Sequence, residues 1–176
     1  MRLPRPDILV ELTATPRVGV HRYTFPAGKT AHVHVDVSNA LGGRRSEAAR
    51  VRLLPATAEL EGSVRTFGTF SGRYGGIQVY FVARFSRPFD AYATWTGDQR
   101  VDGRAEAEGE EAGADLAFNA ATTPQTIELR LALSHVSLAN ARENLATEAA
   151  AQPFAARRLY PSQAADGPPI VGPGGS

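Results

Sequence analysis

The chain has 176 residues, no cysteine and a formal net charge of +1 at pH 7. That length fits one domain, or one domain with a tail. The lack of cysteine excludes disulfides and thiolate metal sites, and the scattered arginines do not form the basic patch of a nucleic-acid-binding protein. No apolar run approaches the ~20 residues that span a bilayer, and no apolar segment of a secretory signal follows Met1. We therefore expect no nucleic-acid partner, no membrane partner and no signal peptide, which leaves the compartment open.

Alternating apolar and polar residues predict β-strands along most of the chain. In the first strand, Ile8, Val10, Leu12 and Ala14 share the apolar side and Thr13 lies on the other. Further alternating or apolar runs follow at 33–37, 51–53, 59–65, 79–85 and 127–134. Turn signals separate these runs at intervals of roughly ten residues, which predicts an all-β fold, an antiparallel β-sandwich. The strand at 79–85 is apolar on both sides, so we expect cover on both of its faces.

Three segments depart from the strand pattern. The acidic, glycine-broken run from Gly103 to Gly113 is predicted to be a solvated hairpin connection with nothing to bury. One helix is predicted after Ser137, its N-cap, with Leu138, Ala141, Leu145 and Ala149 on one stripe. Residues 7–150 thus form the predicted domain, and the Pro/Gly-rich residues 151–176 are predicted to be a disordered tail.

The pattern His32-x-His34-x-Asp36 is the sharpest local candidate for a metal site. Alternation places all three side chains on one face of a strand, with neighbours about 7 Å apart. Two imidazoles and a carboxylate suit Zn²⁺ or another transition metal. The alternative is a polar strand face whose histidines hydrogen-bond to neighbouring side chains.

Five other residues are candidates for sugar contact or for a domain interface: Arg17, His21, Arg22, Tyr23 and Trp95. The first four surround the bend at Pro16–Gly19, where Arg and His can hold sugar hydroxyls and Tyr can stack on a sugar ring. The alternative is a cationic cluster that pins the bend to a neighbouring loop or domain. Trp95, the single tryptophan, precedes a turn and could stack on a sugar or lie in an ordinary interface.

Five segments, in order, resemble the N-terminal domain of glycoside hydrolase family 92, a family of exo-acting α-mannosidases. They read VELTATPRVGVHRYTFP, HVHVDVSNAL, AELEGSVR, VYFVARFSRPFDAYATW and LSHVSLANARENLATE. The match covers roughly residues 8–150 and looks like the second half of the family's domain, which implies a supersandwich-like β-sandwich. The resemblance implies inverting, calcium-dependent hydrolysis of mannose-containing glycans by a six-hairpin helical catalytic domain that follows the sandwich. It also implies that full-length relatives are secreted or periplasmic.

In such enzymes the catalytic carboxylates and the calcium site belong to the helical domain. We therefore expect no catalytic residue and no cofactor in this chain, which we predict to be a fragment that is inactive alone. A truncated or frameshifted reading frame would explain such a fragment. The five candidate residues would then lie at the junction with the helical domain or near the sugar. The alternative from another class is a stand-alone carbohydrate-binding β-sandwich with Trp95 and Tyr23 as its stacking platform. A third alternative is an unstable remnant with unpaired strand edges.

Overall fold

The computed structural model describes residues 2–3, 7–40 and 45–149, and the predicted tail at 151–176 lies outside the described residues. The described chain forms antiparallel strands and one short α-helix. The strands are β1 Arg2–Leu3, β2 Ile8–Ala14, β3 Val18–Phe25, β4 Ala31–Asp36, β5 Ser46–Leu54, β6 Glu59–Thr66, β7 Ile77–Phe85, β8 Ala91–Thr96, β9 Gln99–Asp102, β10 Glu106–Gly109, β11 Ala112–Phe118 and β12 Gln125–Ser134.

The strands form two unequal sheets. The large sheet has eight strands in the order β1-β2-β3-β12-β7-β6-β5-β10, and the small sheet has four in the order β4-β11-β8-β9. Every strand pair is antiparallel. The predicted all-β sandwich is therefore confirmed.

The main core lies between the two sheets. The large sheet contributes Leu60 and Ile127, and the small sheet contributes Leu116 and Phe118, all of them buried. Each such side chain stabilises the fold by about 1.5–3 kcal/mol on burial. This layer holds the two sheets together. The outer faces of the two sheets are not part of it.

The helix α1, Leu138–Asn144, lies against the outer face of the large sheet and continues as a π-helical turn, Leu145–Ala149. Ser137 caps it as predicted, because its Oγ accepts a hydrogen bond from the backbone N–H of Asn140 at 3.1 Å. The stripe is also confirmed where the side chains are described, since Ala141 and Leu145 are buried with Leu138 packed beside them. Beneath them lie four apolar residues of the large sheet: Val18, Val20, Val82 and Ala132. Among the described residues, no helix is long and apolar enough to cross a membrane.

The position of α1 determines which faces of β7 and β2 are buried. The strand β7 is covered on both faces as expected, with Phe81 in the main core and Val82 under α1. In β2, however, Leu12 is 58% exposed and Thr13 is only 7% exposed. The prediction that Leu12 faces a core was wrong, because at this end of β2 the cover lies on the face of Thr13. On the face of Leu12 the core extends only as far as Val10, which is buried.

The prediction of a solvated connection at 103–113 was also wrong. Within it, β10 pairs with β5 at the edge of the large sheet. Ala107 and Ala112 are buried, so this segment contributes to the core through its smallest side chains. Acidic residues on β10 form ion pairs with arginines of β5, Glu108 with Arg50 at 2.6 Å among them.

Candidate functional site

The residues predicted to cluster at the bend are divided among three places. Arg17 lies between β2 and β3 and contacts Glu148, at the end of the helical segment. One oxygen of Glu148, Oε2, accepts from the Thr15 hydroxyl at 2.5 Å and from the Arg17 backbone N–H at 3.0 Å. The other, Oε1, accepts from the Arg17 Nε at 2.5 Å. Arg17 therefore pins the bend, which is the alternative that the sequence left open.

Burial by itself would raise the pKa of Glu148. The hydrogen bonds from Thr15 and Arg17 outweigh that effect and hold the pKa of the carboxyl below its usual value. Glu148 is thus a charged, fixed acceptor that joins the β2–β3 bend to the end of the helical segment.

Arg22 lies on the outer face of the large sheet. It stands directly opposite Glu11 on one side and Glu128 on the other. Its guanidinium nitrogens are 3.7 Å and 3.8 Å from the carboxylate oxygens of these two residues. Cross-strand pairs of this kind contribute a few tenths to about 1 kcal/mol. This position is on the opposite face of β3 from His21 and Tyr23.

His21 and Tyr23 lie on the inner face of the same strand, and both are half-buried. The His21 Nδ1 and the Tyr23 hydroxyl are 2.8 Å apart, a hydrogen bond whose direction depends on the histidine tautomer. Tyr23 packs against the main core. Burial lowers the pKa of His21 and raises the pKa of Tyr23, so both groups are neutral near pH 7.

His32, His34 and Asp36 share the exposed outer face of β4, as the alternation predicts. Among the described residues, no three histidine or acidic side chains form a group that could hold a metal ion. His34 instead pairs with Asp115 of β11 through its Nδ1, at 2.6 Å from Oδ1. Asp36 accepts from the backbone N–H and the hydroxyl of Ser38 at 2.9 Å and 2.6 Å. The geometry thus favours the polar-face alternative over the metal site.

Trp95 lies on that same outer face and stacks with His34. Their ring centroids are 5.4 Å apart and their planes differ by 4°. The indole occupies the space above Gly113, where a methyl group would overlap both the ring of Trp95 and the backbone carbonyl of Val35. The indole N–H is buried and has no acceptor among the described residues.

Arg100 and Asp115, which no local sequence pattern indicates, complete this surface. Arg100 of β9 bonds through its Nε to the Oδ2 of Asp115 at 3.1 Å and pairs with Asp102. A shallow groove of about 320 Å³ lies alongside, floored in part by Ala91 and Ala117. Asp115 and Arg100 are far from His34 in sequence, and only the strand register could have brought them together.

The most buried carboxylate of the described chain is Glu59, whose side chain is 4% exposed. It lies between Arg84 and Arg142, at 2.6 Å from a nitrogen of each. Burial alone would raise the pKa of Glu59, but the hydrogen bonds from Arg142 and Arg84 outweigh burial and lower it. Glu59 is therefore ionised and fastens α1 to the sheet, and it has no proton to donate near neutral pH.

The sequence matches the model of the glycosyl hydrolase family 92 N-terminal domain over residues 1–134. The chain belongs to this family. Among curated protein sequences, none matches the chain significantly.

Solved structures of family 92 share the fold. The family 92 glycosyl hydrolase ccman5 is 34% identical, with a TM-score of 0.70 over 86% of this chain and 19% of its own. The α-mannosidase BT3965 from Bacteroides thetaiotaomicron is 23% identical, with a TM-score of 0.75 over 86% of this chain and 20% of its own. The inverting mannosidase BT2199 from the same species is 22% identical, with a TM-score of 0.69 over 84% and 19%. The chain thus spans about a fifth of the length of these relatives.

Proposed function

We propose that the domain serves as the N-terminal β-sandwich of an inverting, calcium-dependent α-mannosidase and supports glycan hydrolysis by packing against a helical catalytic domain. The membership in family 92, together with the fold shared over 86% of the chain with an α-mannosidase of that family, carries the proposal. The relatives are about five times longer than the matched region, which leaves room for the domain that performs the reaction.

Inversion requires a general acid and a general base on opposite sides of the glycosidic bond, with room for a water molecule. In this proposal both carboxylates belong to the helical domain. The best-buried carboxylate here, Glu59, is held ionised by two arginines and has a structural role.

Calcium takes six to eight oxygen ligands. No cluster of three or more acidic or histidine residues that could hold a metal exists among the described residues, so they do not fit a calcium site. The proposal therefore assigns calcium to the helical domain and derives no step through it.

An uncovered strip on the inner face of the large sheet is the surface that we propose for contact with the rest of the enzyme. Leu12 on β2 is 58% exposed and Leu133 on β12 is 45% exposed. His21 lies directly opposite Leu12 on the intervening strand, whereas Tyr23, two residues later, is paired with the buried residues Val10 and Ile127. Exposed apolar side chains grouped on one sheet face are typical of an interface. Of the candidate residues from the sequence, His21 thus keeps the junction role. Tyr23 packs against the main core, and Arg17 is already held by Glu148.

The first test is an assay of the isolated 176-residue chain with an aryl α-mannoside and calcium. We expect no turnover above the uncatalysed rate. Clear hydrolysis by the isolated chain would overturn the assignment of the chemistry to another domain.

The second test is a chimera in which residues 7–149 replace the matching region of the family 92 enzyme ccman5. We expect the chimera to keep α-mannosidase activity and Leu133→Asp to reduce it by about tenfold or more, because a charge would be buried at the contact. Leu9→Asp is the matched control, since Leu9 is 40% exposed but lies on the opposite face of the large sheet. Equal losses for the two variants would contradict the proposed contact surface.

A further inference from the structure

The outer face of the small sheet has an arrangement that the role of N-terminal sandwich does not require. Rows of directly opposed residues cross this face. One row contains Asp36, Gly113 and Trp95, the next contains His34, Asp115 and Ala93, and the third contains His32, Ala117 and Ala91. Rows on one face are about 7 Å apart. An aromatic row, a charged row and a floor of small residues therefore lie side by side on one exposed surface.

We propose that this surface binds a glycan, with one pyranose ring in the groove beside Asp115 and a neighbouring sugar against the indole of Trp95. The groove has a volume of about 320 Å³ and is walled in part by His32, Arg100 and Asp102. A second depression, of about 460 Å³ and with a mainly polar lining, borders the indole itself. One aromatic plane flanked by fixed polar groups is a chemistry that suits carbohydrates, because the C–H faces of a pyranose are apolar and its rim consists of hydroxyls.

The polar groups of the groove are held in place before any ligand arrives. Asp115 accepts from His34 through one oxygen, at 2.6 Å, and from Arg100 through the other, at 3.1 Å. The second carboxylate that pairs with Arg100, Asp102, also lines the groove. Carboxylate oxygens that still have free lone pairs can accept hydrogen bonds from sugar hydroxyls. Because these side chains are already fixed, little conformational entropy is lost on binding.

Packing alone does not explain a tryptophan at position 95. The indole N–H is buried without an acceptor among the described residues, and such a group costs about 1–3 kcal/mol. A phenylalanine could stack on His34 without that penalty. The ring lies over Gly113, where the backbone carbonyl of Val35 by itself also leaves no room for a side chain. A residue kept at a local cost in stability is more readily explained by binding than by the core.

The sole tryptophan makes the test direct, because the fluorescence of the full 176-residue chain reports on Trp95 alone. We expect a saturable change in Trp95 emission on titration with a soluble α-mannan or a soluble β-glucan. Calorimetry on the same samples should give the same midpoint. No saturable change with either polysaccharide would overturn the proposal.

Variants distinguish this surface from other binding modes. Trp95→Phe and Asp115→Ala should weaken binding by about tenfold or more, and His34→Ala, which keeps the tryptophan reporter, should also weaken it. Tyr23→Phe is the matched control, because it alters an aromatic residue of the other sheet and should bind as the unaltered chain does. Binding that survives both Trp95→Phe and Asp115→Ala would overturn the site. The result does not depend on the proposed enzyme role, because a chimera without activity could still bind glycan here.

Discussion

His21 with Tyr23 and His34 with Trp95 are two histidine–aromatic pairs in opposite settings. The first pair lies on one strand of the large sheet and is joined by a hydrogen bond of 2.8 Å, and its tyrosine packs against the core. The second pair joins two strands of the small sheet by stacking on an exposed face, beside a fixed carboxylate. Similar residue types thus lie at the edge of the core in one sheet and on an exposed outer face in the other. Whether such a pair is buried or exposed depends on whether another layer of the structure packs on that face of its sheet.

The largest expected difference between the two pairs is in stability. Tyr23→Ala removes a half-buried ring from the edge of the core and should lower the free energy of unfolding by about 2–3 kcal/mol. Trp95→Ala should lower it by about 1 kcal/mol, because the ring lies on an outer face and its removal also removes a buried N–H without an acceptor. Urea denaturation of both variants measures the two values. Equal losses would show that Trp95 is a core residue in energetic terms.

Two carboxylates, Glu148 at the β2–β3 bend and Asp115 on the small sheet, should also differ in their contributions to stability. Glu148→Ala removes the acceptor of three hydrogen bonds, from Thr15 and Arg17, and should lower the free energy of unfolding by about 2 kcal/mol. Asp115→Ala should lower it by less than about 1 kcal/mol, because its ion pairs lie on the exposed face.

Glu143→Ala is the control for these substitutions, because Glu143 is an exposed acidic residue of α1. We expect it to change the free energy of unfolding by no more than about 0.5 kcal/mol. A loss for Glu148→Ala no greater than that of this control would mean that the bend is not pinned through Glu148.

Local patterns in the sequence predicted the fold well, because alternation and turn signals are properties of neighbouring residues. The cap at Ser137 and the buried stripe of α1 were confirmed for the same reason. The alternation of β3 also implies that Arg22 and Tyr23 lie on opposite faces, so their grouping in one site was avoidable. The sequence could not show which face has cover, and Leu12 was therefore placed in a core that does not reach it.

The surface around Trp95 could be predicted only in part. Trp95 and His34 were selected by residue type, but Asp115 and Arg100 join them through the registers of β4, β11, β8 and β9. These registers depend on long-range pairing, which no local pattern fixes. The strand β10 was missed for a related reason. Its one apolar side chain, Ala107, is too small to give a hydrophobic signal and is buried only because β10 pairs with the edge of β5.

The smallest expected effect concerns the pH dependence of stability. Burial lowers the pKa of His21 from its ordinary value of 6.5, so the unfolded chain binds a proton at a higher pH than the folded chain does. The contribution of the neutral imidazole is therefore complete above about pH 6.5 and is lost as the pH falls towards the folded pKa, by at most about 1.4 kcal/mol per pH unit. The carboxyls of Glu59 and Glu148, whose pKa values are lowered from 4.5, lose their contributions only below about pH 4.5.

Urea denaturation between pH 7 and pH 5.5 therefore covers the interval in which His21 loses its contribution, and comparison with a His21 variant isolates that contribution from those of the other three histidines. His21→Gln should flatten the decline in the free energy of unfolding over that interval. Tyr23→Phe should lower that free energy by about 1 kcal/mol at every pH and leave the decline in place, because burial, and not the tyrosine hydroxyl, is the cause of the shift. A decline that disappears in Tyr23→Phe would instead assign the shift to the hydrogen bond. In that case the hydrogen bond between His21 and Tyr23, and not burial, would set the pKa of His21. The difference between this pair and the pair of His34 and Trp95 would then come from that hydrogen bond more than from contact with the core.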